Sequence, residues 1–120
     1  LENRLKQSRF IEQVMVVGDG EKMPAALIQP DFVFLEQWAK KKELGDLDRT
    51  ALIAHPRVLS RIEREVESAN EQFAKFEKIK QFKLTPDAWT PDAGHLTPTM
   101  KLKRKAIQAK YQDLYDQIYR

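Results

Sequence analysis

Between residues 10 and 30 the chain reads FIEQVMVVGDGEKMPAALIQP, and no other stretch restricts its folding as tightly. In the first half Phe10, Glu12, Val14 and Val16 alternate with Ile11, Gln13, Met15 and Val17. That period of two predicts a strand with the two sets on opposite faces. GDGEKMP carries turn chemistry, because Gly18 and Gly20 take positive φ without steric cost. AALIQP follows as a second strand, so the two are expected to pair as an antiparallel hairpin. The G-x-G of the linker resembles part of a phosphate loop, but the helix that such a loop requires does not follow it.

The remaining pattern alternates helices with one further strand. LENRLKQS predicts a short helix before the hairpin, and its start at Leu1 reads as a piece cut from a longer protein. DFVFLEQWAKKKEL opens at Asp31, a good N-cap after Pro30, with Phe34, Leu35, Trp38 and Ala39 as its buried stripe. Lys40, Lys41 and Lys42 close it, where cations suit the helix dipole, and read as a solvated end. A short helix is expected around DLDRTALIA. HPRVLSRIEREVESANEQF predicts a long one with Leu59, Ile62, Val66, Ala69 and Phe73 on one face, Pro56 in its first turn and His55 as a cap or surface residue. KIKQFKLTP, with Ile79, Phe82 and Leu84, predicts a third strand beside the hairpin. DAWTPDAGHLTPT is a long loop anchored by Trp89, and loops of this size in a small domain are often functional. A helix over residues 102–119, with Ile107, Tyr111, Leu114 and Ile118 on one face, ends the chain. The fold class expected is α+β: one domain over residues 1–120, with a small, mostly antiparallel sheet of about three strands flanked by helices.

Composition removes several function classes. With 120 residues, 42% apolar and 32% charged, the chain suits a single hydrophobic core and is not disordered. Its apolar runs are far too short to span a bilayer, and it carries no signal-peptide pattern. The absence of cysteine excludes disulfides and thiolate chemistry and makes a cytoplasmic location the default. His55 and His95 stand too far apart for metal-ligand spacing, so no metal site is expected. There is no nucleophile elbow and no Walker loop. The carboxylates lie among lysines on helix faces, which reads as solvent-facing ion pairing.

What stands out is the distribution of charge. Residues 101–110, KLKRKAIQAK, hold five of the 21 basic residues and no acid, leaving 16 basic against 18 acidic residues elsewhere. Lys101, Lys103, Arg104 and Lys105 crowd the expected start of the last helix, where the dipole disfavours cations by a few tenths of a kcal/mol each. An anion there would meet backbone N–H groups, the dipole and ammonium groups together. Composition leaves open a solvated basic helix start, a phosphate site for a nucleotide or substrate, and a non-enzymatic module gripping nucleic acid or an anionic membrane. Against nucleic acid, the cluster lacks interleaved aromatic residues for base stacking, and a gel shift with a steep salt slope would be its signature.

One resemblance narrows these alternatives. LTPTMKLKRKAI, preceded by KIKQFKLTPDAWTPDAGH and, far upstream, by IEQVMVVGDGEKMPAALIQPDF, resembles the C-terminal domain of long-chain acyl-CoA synthetases. These are AMP-forming fatty-acid–CoA ligases of the adenylate-forming superfamily. The resemblance implies a mobile lid that inserts a lysine into the active site of a large N-terminal ATP- and acyl-binding domain absent from this chain. In that superfamily the lysine has a basic residue three positions on, and Lys101 with Arg104 has this spacing, with Lys103 a close rival. Lys101 is the implied catalytic residue, bridging the fatty-acid carboxylate and the ATP α-phosphate; Lys103 and Arg104 are the implied phosphate contacts. The lid would then rotate to present another face for thioester formation. ATP and CoA are the implied substrates, with Mg2+ expected in the parent, none bound by this chain alone, and no activity for the isolated chain. The implied partner is the N-terminal domain of the same enzyme, with no nucleic acid. The parent is expected in the cytoplasm, with peripheral attachment to the inner face of the membrane left open. Many superfamily members carry Gly before the lysine, where this chain has Met100, and His95 stands where an acidic or small residue would be expected and is assigned no role.

Overall fold

In a computed structural model that describes residues 2–73 and 77–120, the elements run α1 (Glu2–Leu5), β1 (Ile11–Val17), β2 (Ala25–Pro30), α2 (Phe32–Lys41), α3 (Arg49–Ala54), α4 (Pro56–Asn70), β3 (Gln81–Leu84), α5 (Arg104–Lys110) and α6 (Gln112–Tyr119). Leu1, the expected first residue of the opening helix, lies outside the described residues. The strands form one sheet in the order β1-β2-β3. β1 and β2 pair antiparallel over six partner positions, and β3 joins β2 in parallel over four. The sheet is thus mostly antiparallel, as expected. The parallel partner follows from the helical crossover between β2 and β3, since parallel neighbours need a long connection of this kind.

The hairpin departs from simple alternation at one point. Ile11 faces Pro30 and Gln13 faces Gln29, so Glu12 is an extra, exposed residue, a bulge. This insertion resets the parity of the strand. Ile11, expected opposite Val14, joins Val14 and Ile28 in one core cluster, while Met15, Val17, Ala25 and Leu27 face the other. At Gly18, with φ +114°, a Cβ would collide with the Tyr119 hydroxyl and the Met23 carbonyl, so the turn needs glycine.

Both faces of the sheet are covered. On one side Phe32, Leu35 and Ala39 of α2 pack with Val58, Ile62, Val66 and Ala69 of α4; on the other Ile107, Tyr115 and Ile118 of α5 and α6 pack with Trp89. The caps explain where the helices begin. Asp31 and Asp48 carboxylates accept the N–H groups of Phe34 and Ala51, and His55 Nδ1 accepts that of Arg57 at 3.1 Å, which makes His55 a cap. The α4 stripe uses Val58 with Leu59 at its margin, and Phe73 falls beyond the helix end at Asn70. There the Asn70 amide bonds both backbone groups of Ile79 at 2.9 Å, leading the chain into β3.

The last helix is a correction. It starts at Arg104 instead of residue 102 and divides at Tyr111 (φ −114°, ψ 31°) into α5 and α6. Tyr111 N–H still reaches Ile107 O and Tyr115 N–H reaches Tyr111 O, so the interruption is a kink. It falls at the residue whose side chain is tied to the long loop.

Candidate functional site

The segment between β3 and α5 is held from beneath by buried polar groups. Thr85 N–H donates to Ile28 O at 2.8 Å, extending the parallel pairing, and its hydroxyl accepts the Trp89 indole N–H at 3.0 Å. Trp89 N–H donates to the buried Gln29 side chain at 2.9 Å. The expected anchor role of Trp89 is therefore met by packing and by two hydrogen bonds.

His95, assigned no role from sequence, is the second anchor. It is 2% exposed, and its Nδ1 accepts Thr90 N–H at 3.2 Å. With Nδ1 an acceptor the proton resides on Nε2, which donates to the Tyr111 hydroxyl at 2.9 Å; that hydroxyl in turn donates to Asp87 at 3.3 Å. The rings of Trp89, His95 and Tyr111 stack mutually, with centroids 5.8–6.2 Å apart. Burial and the Lys110 ammonium lower the His95 pKa below its ordinary value, against the opposing pull of Asp87. Burial and the Asp87 carboxylate push the Tyr111 phenol up to about 12.

Above this base the chain doubles back as a small hairpin. Leu96 and Leu102 bridge antiparallel, Thr97 N–H donates to Lys101 O at 2.8 Å, and Lys101 N–H returns to the Thr97 hydroxyl at 3.1 Å. Lys103 N–H donates to His95 O at 2.9 Å. Met100 turns the corner at φ +69°, a left-handed conformation that favours glycine. Lys101 and Lys103 flank half-buried Leu102 on the returning arm, and both are exposed. Neither side chain has a hydrogen bond or ion pair among the described residues.

Arg104 is placed differently from these lysines. Its guanidinium grips Glu2 with two bonds of 2.7 and 2.8 Å, and Glu2 also accepts Val16 N–H at 2.7 Å. Burial raises the Glu2 carboxyl pKa, but Arg104 and the Val16 N–H outweigh it and hold it below the ordinary range. The residue three positions after Lys101 thus ties the foot of the arm to α1 and β1. Lys103 is the N-cap residue, though its side chain makes no capping bond, and Arg104 and Lys105 follow in the first turn, where Glu2 neutralises Arg104. Lys101 belongs to the loop. Sequence reasoning missed Glu2, which lies 102 residues from its partner and carries no local signal. Among the described residues no cluster of acids and histidines is arranged to hold a metal ion, and no helix is long and apolar enough to cross a membrane.

Against known proteins, the family model for the AMP-binding enzyme C-terminal domain matches residues 1–120. A Mycobacterium tuberculosis protein, fadD11, is 37% identical over 106 residues, which cover 88% of this chain and 18% of that protein. Long-chain-fatty-acid–CoA ligase FadD15 of the same species is 34% identical over 125 residues, covering 99% of this chain and 20% of that protein. The chain therefore spans about a fifth of the length of these relatives. Among solved structures, the A domain of carboxylic acid reductase from Segniliparus rugosus, in complex with AMP and a co-purified carboxylic acid, superposes with a TM-score of 0.72. It is 21% identical, and the match covers 98% of this chain and 17% of that one, a likeness of fold.

Proposed function

The chain belongs to the AMP-binding enzyme C-terminal domain family, and from that premise we propose that it is the lid of an AMP-forming long-chain fatty acid–CoA ligase, with Lys101 as the adenylation lysine. The observation that carries this reading is an exposed lysine, without a side-chain partner among the described residues, on a short hairpin whose foot is fastened at His95 and at Glu2. The full enzyme would take ATP, CoA and a fatty acid, with Mg2+ accompanying the ATP, and its N-terminal domain would supply the nucleotide and acyl pockets. The long-chain acid is read from relatives such as FadD15. The likeness to the carboxylic acid reductase supports the same lid acting beside a different acid pocket equally well. A cytoplasmic setting, with the parent peripheral to the inner face of the membrane, is part of the same proposal.

The hairpin offers a compact charge on an exposed side chain whose backbone is fixed by the bonds to Thr97. A lysine ammonium in that position stabilises negative charge as it builds between the acyl carboxylate and the α-phosphate, while pyrophosphate departs. Arg104 contributes by position: bound to Glu2, it fixes the arm instead of reaching for phosphate. Lys103 is the remaining candidate for a phosphate contact. Withdrawal of the lid would remove the lysine for the second half-reaction, so the two steps separate experimentally.

In the full-length enzyme, Lys101→Ala is expected to slow acyl-adenylate formation by about 10²-fold or more, the scale of losing one key electrostatic group. Thioester formation from supplied acyl-AMP should change far less. Lys103→Ala is expected to cost less than Lys101→Ala in the first step. An unchanged adenylation rate in Lys101→Ala defeats the assignment, and a reversed order transfers it to Lys103.

A further inference from the structure

A second basic region lies where the C-terminal end of α2 meets the first half of α4. An open cleft of about 420 Å3 there is lined by Lys42, Arg57, Arg61 and Arg64, with Ser60 and the Trp38 indole, and no carboxylate among the described residues lines it. Arg57, Arg61 and Arg64 stand at i, i+4 and i+7, on one flank of α4, whereas Glu63 and Glu67 occupy the flank toward β3. The helix therefore sorts its charges laterally, and the acids that balance it in sequence face elsewhere. Glu65 neutralises one cation only, bonding Arg61 at 3.0 Å while it also accepts the Ser8 hydroxyl.

The cations are held toward one another. Arg57 donates to the Lys42 carbonyl at 3.3 Å, which ties α4 to the end of α2. Arg61 lies over the Phe10 ring at 4.6 Å. Lys42 and Arg64 have no side-chain hydrogen bond or ion pair among the described residues. Like charges at this helical spacing cost about 0.2–0.5 kcal/mol per pair, and Arg57 also sits in the first turn of α4, where the dipole opposes a cation. A doubly charged anion relieves both penalties. Guanidinium forks, an ammonium and a hydroxyl converging in one concavity suit the three terminal oxygens of a phosphate. The volume falls in the range of small-molecule sites, roughly 300–1,000 Å3, leaving room beside a phosphate for an organic part against Trp38.

We propose that this cleft binds a phosphate monoester, either free in solution or at a lipid headgroup, through Lys42, Arg57 and Arg64. The site is separate from Lys101, which borders a different concavity with Glu2, Asn3 and Lys6 and shares no lining residue with the cleft. It does not depend on the adenylation assignment.

The test uses the full-length enzyme and its Arg57→Gln/Arg64→Gln variant, both positions being exposed and free of core contacts. One arm titrates inorganic phosphate at constant ionic strength, reading the fluorescence change that Trp38→Phe abolishes. The other measures co-sedimentation with phosphatidylcholine vesicles with and without phosphatidic acid. A loss of at least tenfold in affinity in either arm, with adenylation and melting temperature unchanged, supports the site and identifies the source. Equal behaviour of parent and variant in both arms, or no saturable binding in either, overturns it. Lys42→Gln serves as the second variant if the double one misfolds.

Discussion

The arm bearing Lys101 and the cleft bearing Arg57 and Arg64 both gather positive charge, by opposite means. On the arm the cations are neighbours in sequence, stand out into solvent, and take their position from a buried polar base of Thr85, Trp89, His95 and Tyr111. In the cleft they come from separate helices, line a concavity, and take their position from α4 itself, whose apolar stripe is buried in the core. A cation on an arm can be carried into another active site. A cation on a helix flank can only receive what comes to it. The difference makes the two regions separable by mutation.

The largest separating effect is expected beneath the arm. Trp89→Ala removes a buried indole and leaves the Thr85 hydroxyl short of a partner, while the backbone bond to Gln29 remains, at a cost of about 3–5 kcal/mol. Below the unfolding temperature, Lys101-dependent adenylation in the full enzyme should fall with it, while the phosphate response at Trp38 persists. Equal loss at both places would show that they are not built independently. Trp89→Phe keeps a ring but loses the indole N–H, and should cost only about 1 kcal/mol.

Acid should separate them next. His95 is buried and its pKa is depressed by burial and by Lys110, so the unfolded chain binds the proton more readily. The contribution is fully present above the unfolded value of about 6.5 and drains as pH falls through the depressed folded value. Thermal unfolding of wild type should therefore lose more stability between pH 7 and 5 than His95→Gln does. Identical pH slopes would remove His95 from the support of the arm. Arginine holds its charge throughout this window, so the cleft should keep its phosphate affinity, corrected for phosphate ionisation.

The arm was readable in sequence because its charges are contiguous, and the resemblance to acyl-CoA synthetases assigned them a use. The hairpin, the Asp31 cap and the Trp89 anchor were also legible, since each announces itself locally: an alternating run with a glycine turn, an Asp ahead of a helical stripe, and one large aromatic in a polar loop. What escaped depends on partners far along the chain. The bulge at Glu12 shifts parity only once Gln29 and Pro30 are opposite. The grip of Glu2 on Arg104 spans 102 residues, and the kink at Tyr111 accompanies bonds to His95 and Asp87. The cleft was hidden most thoroughly. Counting charge outside the basic segment finds a small acidic surplus, because Glu63 and Glu67 alternate with the arginines in sequence while facing away from them in space.

The smallest expected effect concerns one device that both regions share, a left-handed residue next to a lysine: Met100 (φ +69°) before Lys101 and Glu43 (φ +62°) after Lys42. At the end of α2 it belongs to a helix-terminating turn, with Leu44 N–H bonding Ala39 O at 2.8 Å and Glu43 N–H bonding Lys40 O at 3.3 Å. At the arm it closes the corner between Thr97 and Lys101. An L-residue in this conformation costs about 1–2 kcal/mol, while glycine loses roughly 0.5–1 kcal/mol of additional chain entropy on folding. Met100→Gly and Glu43→Gly should each stabilise the chain by up to about 1 kcal/mol, seen as a small rise in melting temperature. Both lysines stay where they are, so adenylation and phosphate binding should hold within about threefold, less than 1 kcal/mol. If Met100→Gly instead destabilises by more than about 1 kcal/mol, the methionine side chain contributes contacts to the arm, and its place in a position suited to glycine reflects those contacts instead of tolerated strain.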